Sequence, residues 1–171
     1  RYFHFRVPPL CLPDASLAIF FLAGLYLRRV EYFPALLIAA GVIDYLAMTV
    51  GGVSDWCFSP AYWFLIPTYA GLWFAGRYCA ATHALEGRAL LRLAGVLFVA
   101  TSIAFVISNG SFYLFSDRYP DMGWGEYAAL VSKYYAPYMA GAFLYTALAL
   151  MAQWALTQQK GRFAWDGFQE K

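Results

Sequence analysis

Apolar residues run through this chain in long blocks, broken by short polar punctuation. A membrane-spanning helix needs about 20 mostly apolar residues, and five blocks meet or approach that length. They run from Asp14 to Leu27, Tyr32 to Val53, Pro60 to Ala81, Ala89 to Ile107 and Tyr134 to Thr157. Pro13-Asp14 starts the first, and Arg28-Arg29 closes it. Pro34 falls in the first turn of the second, which ends at Gly51-Gly52. Proline near a helix start and glycine past its end are the expected boundary signals.

Residues 108–133 break the pattern. Ser108-Asn109-Gly110-Ser111 is followed by Phe112-Tyr113-Leu114-Phe115 and then by Asp117, Arg118, Pro120, Asp121, Gly123 and Gly125. This is loop chemistry with an aromatic beginning, and it predicts a short helix at Gly125–Lys133 leading into the last span. No internal repeat or low-complexity tract appears, so residues 1–171 read as one transmembrane domain.

Composition fixes the class. The 171 residues are 62% hydrophobic and 13% charged, against roughly 25% charged in soluble domains. The chain reads as an all-α integral membrane protein. Its 20% aromatic content exceeds what interfacial belts require. Two readings of the excess stay open: an aromatic-lined cavity and rings facing lipid.

Charge orients the spans by the excess of Lys and Arg on the cytoplasmic side. Arg28, Arg29, Arg77, Arg88, Arg92, Lys160, Arg162 and Lys171 share one side. The opposite loops, 54–59 and 108–133, hold Asp55, Asp117, Asp121 and Glu126 against Arg118 and Lys133. The C-terminus is therefore expected in the cytoplasm and residues 54–59 outside. Five spans would put Arg1 and Arg6 outside, against the rule. Either a further helix ahead of Arg1 or a re-entrant path for residues 1–13 removes the conflict. A net charge of +2 gives no nucleic-acid face. No nucleotide-binding, zinc-protease or nucleophile-elbow motif is present.

Candidate chemistry gathers at the outer end. Asp44 lies in the second span, where a carboxylate costs roughly 2.5–3.5 kcal/mol on insertion scales and calls for a cavity or a partner. A hydrogen bond to a neighbouring helix, for example to a Tyr hydroxyl, is the plainer account. Cys57 sits in Ser54-Asp55-Trp56-Cys57-Phe58-Ser59-Pro60. Ser59 and Pro60 read as N-cap and first residue of the third span, so Cys57 lies near a positive helix end that favours thiolate, a soft ligand for a late transition metal. The alternative is a small buried hydrophobe. Tyr62 lies on the next turn, and Asp44, Cys57 and Tyr62 are placed to converge. Asn109, Ser111 and Tyr113 are placed on the facing wall, and Arg118 is positioned either to anchor a ligand or to pair with Asp117 or Asp121. Cys11 and Cys79 read as packing residues, and His4 and His83 fall on opposite sides. Gly71-x-x-x-Ala75 and Ala136-x-x-x-Ala140 suit close internal helix contacts.

Asp44, Asp55-Trp56-Cys57, Tyr62 and Ser108-Asn109-Gly110-Ser111-Phe112-Tyr113 together resemble the BtuM family, small bacterial vitamin B12 transporters similar to the S-components of energy-coupling-factor (ECF) transporters. The resemblance covers nearly the whole chain. It implies an S-component-like bundle of six helices with both termini in the cytoplasm, of which five are evident here. It implies cobalamin uptake across the bacterial inner membrane, with Cys57 as ligand to cobalt and Asp44 and Tyr62 as polar residues near it; Asp55, Trp56 and Phe58, which flank the thiol, are expected to meet the same ligand. It also implies help from the thiol in removing an upper cyanide ligand, cobalamin as the transported substrate with no other cofactor, and an ECF energising module as a possible partner. Two other readings stay open: a membrane enzyme using the Cys57 thiol, which lacks a nearby His base, and a non-catalytic subunit of a membrane complex.

Overall fold

The structure, a computed structural model, describes residues 14–27, 29–50, 59–80 and 87–169, with side chains described as far as Gln158. Cys57, Asp55, Trp56 and Phe58 lie outside the described residues, as do Cys11, His4 and His83. The described elements are all helical: α1 (Ser16–Tyr26), α2 (Tyr32–Thr49), a 3-10 helix (Pro60–Phe64), α3 (Leu65–Ala80), α4 (Gly87–Phe115), α5 (Trp124–Ser132) and α6 (Tyr135–Gln169).

Among the described residues, three helices are long and apolar enough to cross a membrane: Tyr32–Thr49, Gly87–Phe115 and Tyr135–Gln158. The chain is thus a multi-pass helical membrane protein, and the expectation of five spans is met in part. The first block yields only an 11-residue helix, about 16 Å at 1.5 Å per residue. Asp14 opens it as expected, its Oδ1 accepting the Ser16 N–H at 2.9 Å and the Ser16 hydroxyl at 2.7 Å.

Two boundaries differ from the sequence reading, and proline explains one of them. Residues 60–64 are 3-10, not α. Pro67 has no N–H to give the Trp63 carbonyl, the bond an α-helix would need there. The Leu65 N–H turns back to the carbonyls of Trp63 and Tyr62 instead. Ser59 precedes this turn with extended backbone, but its side chain makes no cap bond, and its buried Oγ has no partner among the described residues. Ser59 therefore holds the expected N-cap position ahead of Pro60, without the side-chain bond that usually accompanies it.

The other difference is α4, which continues through Ser108–Phe115 where a loop was expected. Ser and Asn side chains ordinarily compete with the helix for backbone bonds. Here they bond within it. The Asn109 side-chain amide donates to the Phe105 carbonyl at 2.9 Å, and the Ser111 hydroxyl donates to the Ser108 carbonyl at 3.0 Å. At 29 residues, α4 is about 43 Å long and outreaches the roughly 30 Å hydrocarbon layer.

The core lies where α1 packs along α3, with α4 and α6 closing around them. Phe20 stacks on Tyr69 at 4.2 Å, and Phe33 brings α2 in through edge contacts with Phe20 and Trp73. The α1–α3 crossing is set by two glycines. A Cβ on Gly24 would strike the Trp73 carbonyl, and one on Gly76 would strike the Phe21 carbonyl. Such backbone approach is how helices associate in lipid, where there is no hydrophobic drive between them. The sequence reading picked Gly71-x-x-x-Ala75 for this role, but a Cβ on Gly71 meets nothing within 4 Å. α2 has no buried residue and is the most peripheral of the spans.

Candidate functional site

Asp44 comes from α2 and Tyr62 from the 3-10 turn ahead of α3. The Tyr62 hydroxyl donates to Asp44 Oδ2 at 2.8 Å. The hydrogen bond to a Tyr hydroxyl considered for Asp44 is therefore present, and its donor is the tyrosine placed beside it by the sequence. Both side chains are half-buried. The pair links α2 to the turn ahead of α3, and the chain segment joining those two elements is the one that contains Cys57.

The remaining described candidates sit on the last turns of α4 and just beyond. Ser111 is buried. The Tyr113 hydroxyl donates to the Met122 carbonyl at 2.6 Å, and its ring packs on Trp124 at 4.1 Å and Tyr127 at 4.8 Å. The Asn109 carbonyl accepts the Tyr127 hydroxyl at 3.0 Å. Asn109 and Tyr113 thus brace α5 against the end of α4. Asp117 takes a left-handed conformation, φ 53°, which an Asp tolerates better than most residues. It follows the end of the long helix. Arg118 comes next, exposed, with its backbone N–H on the Ser116 hydroxyl at 3.4 Å.

Aromatic packing connects the two groups. Phe64, two residues from Tyr62, stacks on Phe115 at 4.9 Å with the rings 14° from parallel. The 3-10 turn is therefore seated on the same end of α4 that carries Asn109, Ser111 and Tyr113. The structure thus gathers the described candidates at one end of the bundle.

Sequence reasoning missed Tyr119, Trp124 and Tyr127. Tyr127 is nearly fully buried at 3% exposure and packs against Tyr113 and Tyr119. Phe112 meets Tyr119 edge-on. Burial, and secondarily the neighbouring Tyr119, pushes the Tyr127 hydroxyl up to about 12, so it remains a neutral donor to Asn109 throughout the physiological range. The available signal was the i, i+3 spacing of Trp124 and Tyr127 on a short helix, which puts both rings on one face. Glu126 caps that helix by accepting the Gly123 N–H at 3.2 Å.

The described residues hold no cluster of three or more His, Cys, Asp or Glu side chains able to bind a metal ion. No family model matches the chain, and no curated protein matches it.

Proposed function

We propose that this chain binds cobalamin at the outer face of the bacterial inner membrane and carries it inward, with the Cys57 thiolate as ligand to the cobalt of its cargo. The gathering of Asp44, Tyr62, Asn109, Ser111 and Tyr113 at one end of the bundle is the observation that supports the reading. A carboxylate in a membrane span is held by a tyrosine from the element on the far side of the Cys57 segment. The arrangement suits a site entered from that end, with polar groups ready for the amide-rich rim of a corrin. The partly exposed rings of Phe112, Tyr113, Tyr119 and Trp124, backed by the buried Tyr127, offer flat apolar faces of the kind that line small-molecule sites.

In this reading Cys57 gives up its proton to water, and its sulfur takes one axial position on cobalt. Where cyanide occupies the upper position, it leaves with its electron pair as sulfur enters, and cobalt keeps its oxidation state. The bundle is S-component-like, with movement of the loaded protein in the membrane as the transport step, either alone or on an ECF energising module.

The test is an absorption spectrum of the protein purified with cobalamin, intact and as Cys57→Ala. A bound corrinoid whose spectrum shifts on substitution is expected. An intact protein that retains no corrinoid overturns the reading. An unchanged spectrum in the variant removes cobalt–thiolate ligation from it.

A further inference from the structure

A second feature lies away from the outer end. Between α3 and α4 runs a groove of about 540 Å³, lined from α3 by Gly71 and Ala75 and from α4 by Gly95, Ala100 and Ile103. The glycines and alanines create it, because no side chain fills the space they leave. Gly71 and Gly95 each have nothing within 4 Å of where a Cβ would stand. The rim faces outward on a membrane-spanning helix: Val99 is 56% exposed and Ile103 53%. From Arg92 to Ile107 the lining follows α4 for about 22 Å, more than the ~15 Å of hydrocarbon in one leaflet.

One end of the groove is charged. Arg92 and Tyr78 belong to its lining, and the Arg92 guanidinium lies over the Tyr78 ring, 4.6 Å from its centre. Stacking fixes the plane of the guanidinium and leaves its N–H donors pointing outward from the edge. Arg88 is one turn away on the same face of α4, and Arg77 lies in the last turn of α3. Neither α3 nor α4 contains an Asp or Glu. An apolar channel of leaflet depth that ends at Arg92, with Arg88 one turn along the same helix, suits an acyl chain attached to an anionic head.

We propose that this groove holds one acyl chain of an anionic phospholipid, with the lipid phosphate on Arg92 and Arg88. The bound lipid fills the space left between the two helices and gives the small-residue faces of α3 and α4 a packing partner. Planar guanidinium donors suit phosphate oxygens in a way a lysine ammonium does not.

The experiment uses the full chain, delipidated in detergent and titrated with phosphatidylglycerol or with phosphatidylcholine of identical acyl chains, read by native mass spectrometry. Phosphatidylglycerol is expected to be retained about fivefold more strongly, the worth of one arginine near a lipid surface, and Arg92→Gln should remove that preference. Gly71→Leu and, separately, Gly95→Leu should reduce retention of both lipids while leaving the melting temperature near that of the parent. Glycerol phosphate, which has the head but no chain, should fail to displace the lipid. Equal retention of the two lipids overturns the proposal, as does full displacement by glycerol phosphate. A protein dimer that either glycine substitution abolishes assigns the groove to a second copy of the chain and also overturns it.

Discussion

The hydroxyl of Tyr62 and the carboxylate of Asp44 meet at 2.8 Å across 18 residues of sequence, tying α2 to the turn that begins the next helix. Hydrogen bonds to charged groups contribute about 1.5–3 kcal/mol. Tyr62→Phe keeps the ring and deletes the donor, so it should destabilise the protein by about 1–3 kcal/mol, measured by unfolding in detergent. In the cobalamin reading, Asp44→Ala should weaken corrinoid binding more than Asp121→Ala, because Asp121 is exposed on the loop before α5. Equal effects on binding would make the Asp44–Tyr62 pair a purely structural tie.

Gly76 and Gly71 lie five residues apart on α3 and should respond in opposite ways to the same methyl group. At Gly76 the added carbon strikes the backbone of Phe21 in α1, and neither helix has a side chain that can swing aside. Gly76→Ala should cost about 1–3 kcal/mol, as overpacking does, with a lowered melting temperature. Gly71→Ala meets open space and should be neutral or stabilising by up to about 1 kcal/mol through helix propensity. A Gly76→Ala variant as stable as the parent would mean that the α1–α3 contact does not set the core.

Tyr127 gives the chain a defined alkaline limit. Its folded-state value is about 12, raised mainly by burial, against about 10 for an exposed tyrosine. A raised value means that the folded state holds the proton more tightly than the unfolded state. The associated stability is therefore complete below about pH 10 and is lost as pH rises toward about 12. Stability followed against pH should fall in that window, and Tyr127→Phe should flatten this part of the profile. A tyrosinate absorbance titration should show one tyrosine fewer in the late-ionising group of the variant.

Hydrophobic blocks and their punctuation made the helices legible, and several boundaries come close. The start of α2 at Tyr32 and the short helix before α6 fall within a residue or so of where the sequence places them. The break between α5 and α6 also has a cause in sequence: Pro137 cannot donate to the Lys133 carbonyl, and the chain turns at Lys133-Tyr134. The extension of α4 through Asn109 was not legible, because Ser-Asn-Gly-Ser reads as a loop until the partners of those side chains are known. The Asp44–Tyr62 pair was legible as a proximity. The bracing of α5 by Asn109 and Tyr113 was not, since it depends on where the residue 116–123 turn returns the chain.

Sequence alone determined the environment of this protein and the residues with chemistry to offer. A chain with so few charges has no adequate surface for water, and a carboxylate within an apolar span demands a partner. Tertiary structure decided which partners meet and which gaps stay open. Gly24 and Gly76 close the α1–α3 crossing while Gly71 and Gly95 leave a groove, although all four are lone glycines in apolar helices. The difference is what lies opposite each missing side chain: a carbonyl in one case and empty space in the other. Helix periodicity specifies which residues share a face, but not which neighbouring helix that face will meet.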